Sequence, residues 1–368
     1  MSIRGRVSRR SFLHQAGIAA SGAAAGIAFP RLVFAQNKKA VKFTLAWVAE
    51  GSNLFAFVAK GMGFWEKHGL DVDIARGSGT IAAAQAIGAG SFDFGICATA
   101  GTILQSAKGL PLIQIATCAY DATMGIAVLN DSGIKTPKDL EGKQMGCTVT
   151  SGEYPFLPVF AERAGFDLKK VTINQVDNKV RDRLLAEKKV DAISCFGSSA
   201  MPSYVATGVK AHCMLYSKYG ITNYGNCLMT QPNRVAAEPE LCAAVTAGLL
   251  EGLKATLLDP AEAMKVFFKQ VPEMALAGQA REQIRVGTGI LTFVNVRPPM
   301  QEHGVGYTVP QDMTAMNDLV MKYVAHQGDK RPDDTALFTN KFVGGLKMSP
   351  AEWDQASKNA AEFGAYVS

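Results

Sequence analysis

From Val41 to Tyr216, short apolar runs alternate with stretches whose apolar positions recur at helical spacing. The runs Val41–Trp47, Leu70–Ala75, Phe92–Cys97 and Leu112–Cys118 predict a first series of strands. Between them, Ser52–His68 predicts one helix with Leu54, Phe55, Val58, Met62 and Trp65 on a single face. Gly77-Ser78-Gly79 leads into a second helix through Ile87, and Thr102–Lys108 predicts a third. A further series follows Asp121, with strands expected at Gly125–Leu129, Met145–Val149, Val171–Val176, Val190–Cys195 and Ala211–Tyr216. Helices are expected near 154–164, 179–187 and 199–207, and Thr136-Pro137-Lys138-Asp139 has the cap, proline and acid of a helix start. Strand–helix–strand repetition of this kind predicts mostly parallel sheets covered on both faces.

From Pro232 the pattern turns helical. Asp259-Pro260-Ala261-Glu262 and Ser349-Pro350-Ala351-Glu352 each place a capping side chain before a first-turn proline. The tail is expected to return to the first lobe, whose own helices offer little to cover a sheet on both faces. The organisation expected is an α/β protein of two lobes. Residues 36–122 and 226–368 form one and residues 123–225 the other, with chain crossings near Tyr120–Gly125 and Asn223–Leu228. Two crossings make a hinge on which lobes close over a ligand.

The first 35 residues change the picture of the charge. Ser8-Arg9-Arg10-Ser11-Phe12-Leu13 is a twin-arginine pattern, an Ala/Gly-rich stretch runs from Ala16 to Phe29, and Val33-Phe34-Ala35 offers small-residue cleavage. A transmembrane anchor is disfavoured by the weak hydropathy and by Pro30-Arg31. Five arginines and no acid lie in this segment, so the formal charge of +6 falls to +1 once it is removed. A nearly neutral chain gives no electrostatic case for nucleic acid. The expected location is the periplasm, reached by the twin-arginine route, for a monomer of 333 residues. At 48% hydrophobic and 19% charged, the composition is that of an ordinary globular protein. Cysteines at 97, 118, 147, 195, 213, 227 and 242 fall mostly in expected strands, which favours buried thiols over a disulfide framework.

Open α/β sheets bind solutes beyond the carboxyl ends of their strands, where helix N-termini present free backbone N–H groups. That rule nominates Trp47, Glu50, Ser52 and Asn53 after the first strand, Ser78 after the second and Thr99 after the third. Ser151, Glu153, Tyr154, Asp177 and Phe196 follow strands of the second series, and Tyr120, Asp121, Asn223 and Tyr224 lie at the crossings. Aromatic faces beside carboxylates suit a flat, amino-bearing heterocycle, through stacking and charge-assisted hydrogen bonds. The histidines show no metal-ligand spacing, and neither a nucleophile elbow nor a phosphate-binding loop occurs. No cofactor, metal site or catalytic residue is expected.

Four motifs in order resemble a known family. Gly63-Phe64-Trp65-Glu66-Lys67-His68-Gly69-Leu70-Asp71-Val72 is similar to the G-(F/Y)-(F/W)-x-x-x-G-L-x-V stretch of NMT1/THI5-like importer binding proteins, a group that embraces thiamine-pyrimidine, alkanesulfonate, taurine and nitrate binders. Gly90-Ser91-Phe92-Asp93-Phe94-Gly95, Thr136 to Lys143 and Val190-Asp191-Ala192 resemble its G-x-x-D-x-G, x-x-P-x-D-L-x-G-K and V-D-A steps. The resemblance spans residues 41 to 230 and fades in the tail. It implies a type II periplasmic-binding-protein fold, a membrane permease of an ABC importer as partner, and no enzymatic activity. Fungal relatives that make the thiamine pyrimidine depend on a cysteine-rich motif, whereas the cysteines here are scattered. Among the family's ligands the residues point to a pyrimidine-like compound. A sulfonate- or nitrate-type anion is the alternative, and a cofactor-bearing periplasmic enzyme is a third reading.

Overall fold

The structure is a computed structural model that describes residues 38–276 and 278–367; the N-terminal stretch expected to direct export lies outside the described residues. Two five-stranded sheets organise the chain. The first holds β1 (Lys39–Thr44), β2 (Leu70–Ala75), β3 (Phe94–Ala98), β4 (Ile113–Thr117) and β10 (Asn226–Thr230), in the order β2-β1-β3-β10-β4. The second holds β5 (Met124–Leu129), β6 (Gln144–Cys147), β7 (Thr172–Gln175), β8 (Ala192–Phe196) and β9 (Ala211–Leu215), in the order β7-β6-β8-β5-β9. Every position of β3, β4 and β5 is buried, as a strand covered on both faces requires.

Each sheet is mixed, because one strand runs against its neighbours. β5 pairs antiparallel with β8 and β9, and β10 with β3 and β4. Residues 223–228, expected to be only a crossing, thus supply the start of an inner strand. Asn226-Cys227-Leu228-Met229-Thr230 is a short run behind Gly225, and nothing local distinguishes an inner strand from an apolar linker.

Two other expectations are corrected. The single helix over Ser52–His68 is two, α1 (Leu54–Gly61) and α2 (Phe64–Lys67), because Gly63 sits in the left-handed region at φ 75°. Trp65 is nevertheless core, donating from Nε1 to the Val245 carbonyl at 2.9 Å. The Thr136 start leads into one 3-10 turn, Pro137–Leu140, rather than a helix. Asp139 closes that turn by accepting from the backbone N–H of Lys135 and Thr136 at 3.0 and 2.8 Å.

The remaining helices in the first two-thirds are α3 (Thr80–Gly88), α4 (Thr99–Ala107), α5 (Leu157–Ala164), α6 (Arg181–Ala186) and α7 (Gly197–Thr207). The helical tail runs α8 (Pro232–Ala237), α9 (Pro239–Leu258), α10 (Pro260–Gln270), α11 (Pro272–Ala275), α12 (Ala280–Asn295), α13 (Pro298–His303), α14 (Pro310–Tyr323) and α15 (Pro350–Ala360). α9 and α10 pack on α1 beside the first sheet, whereas α12 lies along α7 of the second. Val286, Ile290 and Val294 of α12 share an apolar cluster with Met201, Tyr204 and the C-terminal Phe363 and Val367. The tail therefore serves both sheets.

Candidate functional site

A cavity lies where residues following β1, β4, β6 and β8 converge with the starts of α3, α6 and α7. Its walls are Ala46, Trp47, Glu50, Ser52, Asn53 and Thr80 from the β1 and α3 segments, and Ala119, Asp121 and Ala122 after β4. Opposite stand Ser151, Arg181, Phe196, Ser198 and Ser199; Gly225, Asn226, Leu291 and Val294 complete it. It measures about 50 Å³. A single water needs roughly 10–15 Å³ on the same footing, so the site as closed here suits a compact solute.

The two rims touch. Thr150 accepts from the Ile81 backbone N–H at 3.0 Å and donates from Oγ1 to the Ser78 carbonyl at 2.7 Å. Gly79 makes this approach possible: it lies at φ 140°, and a Cβ there would stand 2.2 Å from the Thr150 carbonyl oxygen. Deeper in, Ser199 Oγ from α7 donates to Glu50 Oε2 at 2.8 Å, while Ser52 Oγ donates to Glu50 Oε1 at 2.6 Å. The Arg181 guanidinium lies over the Trp47 ring, 5.0 Å from its centroid. All of these contacts except that of Ser52 with Glu50 join a segment of the first sheet to one of the second.

Electrostatics in the site are dominated by burial. Glu50 is 6% exposed, and desolvation raises its pKa from 4.5 to about 7 against the opposing hydrogen bonds from Ser52 and Ser199. Glu153 and Asp121 are also raised by burial. Arg181 and the hydroxyls of Ser151 and Ser194 restrain the shift of Glu153, and the Thr123 N–H restrains that of Asp121. Arg181 is the one cation among the lining residues, with a 1% exposed side chain. Its Nε donates to Asp182 at 2.8 Å, and its Nη2 is buried without a partner.

Of the nominated residues, Trp47, Glu50, Ser52, Asn53, Asp121, Ser151 and Phe196 come together on the cavity wall. The others lie apart from it. Glu153 sits behind the wall beneath Ser151 and Ser194, and Ser78 contributes its carbonyl to the rim. Thr99 is fully buried, donating to Gln114 at 2.7 Å. Tyr120 and Tyr224 stack edge to face and spend their hydroxyls on the Tyr307 carbonyl and Asp312. Asn223 is buried off the wall, Asp177 is an exposed turn acceptor for the Lys179 N–H, and Tyr154 lines a separate groove between α4 and α5.

The sequence profile described as NMT1/THI5 like matches residues 52–263, more than half of the chain. The chain belongs to the NMT1/THI5-like family. A putative thiamine biosynthesis protein of Haemophilus influenzae is 22% identical over 235 residues, 64% of this chain and 74% of that protein. A formylaminopyrimidine-binding protein of Halalkalibacterium halodurans is 23% identical over 237 residues, 63% and 71% of the two chains. A 4-amino-5-hydroxymethyl-2-methylpyrimidine phosphate synthase of Legionella pneumophila is 26% identical over 147 residues, 40% of this chain and 46% of that one. Among solved structures, a Bordetella bronchiseptica protein superposes with a TM-score of 0.66 at 21% identity, covering 88% of this chain and 98% of its own. The periplasmic aliphatic sulphonate binding protein SsuA of Escherichia coli gives 0.61 at 15%, covering 84% and 96%. At these identities the structural likeness establishes the two-lobed α/β fold.

Within this NMT1/THI5-like chain, sequence reasoning had passed over Arg181, Ser199, Asn226, Leu291 and Val294. The strand-to-helix rule could have reached Arg181, which opens α6 four residues beyond Asp177. Ser199 lies in the first turn of α7 and was accessible by the same rule. Leu291 and Val294 carried no such signal, since they reach the cavity only because α12 lies along α7.

Proposed function

We propose that this chain is the periplasmic solute-binding component of an ABC importer. It captures a small amino-bearing heteroaromatic compound, pyrimidine-like in size, by closing its two lobes, and hands that compound to a membrane permease. The observation that carries this reading is the pairing of Trp47 and Phe196 with Glu50 and Asp121 around one cavity walled by both sheets. Aromatic faces sandwich a flat ring, and carboxyl groups accept from its exocyclic amine. The crossings at 120–125 and 223–226 supply the hinge. Family membership supports a binder, and the relative from Halalkalibacterium halodurans is itself named for binding an aminopyrimidine.

A sulfonate- or nitrate-type anion is the second reading, favoured by Arg181 alone. Against it, the cation is already matched by Asp182, Glu50 and Asp121 stand on the same wall, and Glu153 lies behind it. Isothermal titration of protein unfolded and refolded to strip carried-over solute, against 4-aminopyrimidine and against taurine, tests the choice. Heat on 4-aminopyrimidine addition with none on taurine addition supports the proposal; the reverse pattern rejects it.

A further inference from the structure

We propose that the groove between α4 and α5 is a second ligand site, which takes a compact apolar molecule bearing one carboxylate and thereby favours the closed form. The site does not depend on which solute the central cavity accepts. The groove measures about 370 Å³, against about 50 Å³ for the cavity, and falls within the size range of small-molecule pockets. Its walls come from both halves of the molecule. Ile81 of α3, Leu104 of α4 and Val324 after α14 form one side; Val149 after β6, Leu157 of α5 and Ile173 of β7 form the other. Val149 is 42% exposed, one of few large apolar side chains so open to water among the described residues. Tyr154, Pro155 and Pro158 add flat faces, which suit an aromatic body.

Charge selects the head group. Lys108 and His326 line the groove, and no aspartate or glutamate does. Lys108 is exposed just past the end of α4 and makes no salt bridge among the described residues. Asp329 accepts from the His326 backbone N–H at 2.9 Å but is not part of the lining. A carboxylate therefore meets a free cation at the rim while the hydrocarbon body leaves water. The link to closure is positional. Thr80 and Ser151 line the cavity, whereas Ile81 and Val149, one and two residues away, line the groove. Between them the Ile81 N–H donates to the Thr150 carbonyl at 3.0 Å. The two walls face each other while that rim contact holds, so a molecule spanning them binds the closed form more tightly and stabilises it.

The test titrates refolded protein, stripped of carried-over solute, with 4-phenylbutyrate and with its uncharged counterpart 4-phenylbutan-1-ol, by calorimetry. An exposed ion pair contributes about two- to fivefold in affinity, and the acid is expected to bind tighter than the alcohol by that factor. Lys108→Glu, at an exposed position, is expected to invert the preference. Ile81→Asp and Val149→Asp place a charge on one wall each, at positions that are not fully buried, and each should weaken both probes by about tenfold or more. Gly79→Val lies outside the groove but holds the rims apart, and it should weaken both probes as much. Thermal unfolding checks that each variant folds; if Gly79→Val does not, the paired aspartate variants show whether both walls are needed. Failure of 4-phenylbutyrate to saturate the protein at millimolar concentration overturns the site. An acid preference that survives Lys108→Glu overturns the head-group assignment. A loss in only one of the two aspartate variants, or undiminished binding to a folded Gly79→Val protein, overturns the link to closure. Failure of the aminopyrimidine titration, by contrast, rejects the reading of the cavity and leaves this site standing.

Discussion

Glu50→Gln isolates the electrostatics of closure. With the rims in contact, Glu50 holds its proton up to about pH 7, against 4.5 for a hydrated glutamate, because burial outweighs the hydroxyl donors and Arg181. Its other charged neighbour, Asp182, pushes in the same direction as burial. The folded, closed form therefore binds a proton that the unfolded chain has released between those two values. Stability conferred by this group is greatest below pH 4.5, declines as pH rises, and is fully lost above about 7. The difference of two and a half units corresponds to about 3 kcal/mol. Glutamine keeps an oxygen to accept from one of the two serine hydroxyls, offers an amide N–H to the oxygen of the other, and titrates nowhere. Urea unfolding of ligand-free protein at pH 4.5 and pH 8 gives the measurement. Wild type should lose about 3 kcal/mol more than Glu50→Gln over that interval, with Asp121 and Glu153 contributing equally to both proteins. Identical losses in the two proteins would show that Glu50 is hydrated in the ligand-free chain, and the idea that the closed geometry around it persists without solute would have to be abandoned.

Gly79→Val should hold the rims apart, because its Cβ cannot coexist with the Thr150 carbonyl 2.2 Å away; solute affinity falls at least tenfold by titration, and small-angle scattering reports a larger radius in the presence of ligand. Trp65→Ala empties a fully buried site against Val245 and Gly248, and a loss of about 3–5 kcal/mol is expected in chemical unfolding. All seven cysteines are free thiols and six are buried. A thiol reagent should count seven after denaturation, and on the native protein Cys213 should react before the other six.

Strand positions proved legible where the pattern was local. Leu70–Ala75 alternates as burial of one face dictates, and Gly125–Leu129 runs apolar as burial of two faces dictates. The cavity was legible in part for the same reason: Trp47, Ser151 and Phe196 stand where a strand gives way to a helix, and backbone geometry aims such positions at one edge of a sheet. What escaped was set by distant chain. Thr99 obeys the same positional rule, yet it is drawn into the core by Gln114, which in turn bonds Thr117 and Thr308. Tyr120 and Tyr224 sit at the crossings as expected, but residues 307 and 312 of the tail engage their hydroxyls. A sequence pattern reports which face a residue occupies, whereas these outcomes depended on which partner arrives there.

The seat of β10 between β3 and β4 has a consequence for how the molecule comes into being. β3 and β4 have no edge in common until residues 226–230 slide between them, and all five strands of the second sheet precede that segment in the chain. During synthesis, the later-encoded sheet can close on itself from a contiguous stretch. The earlier one must wait with two open backbone edges, a long-range pairing of the kind that slows folding and invites association with other chains. The part made first is finished last, and the interval between is when this protein most needs a chaperone.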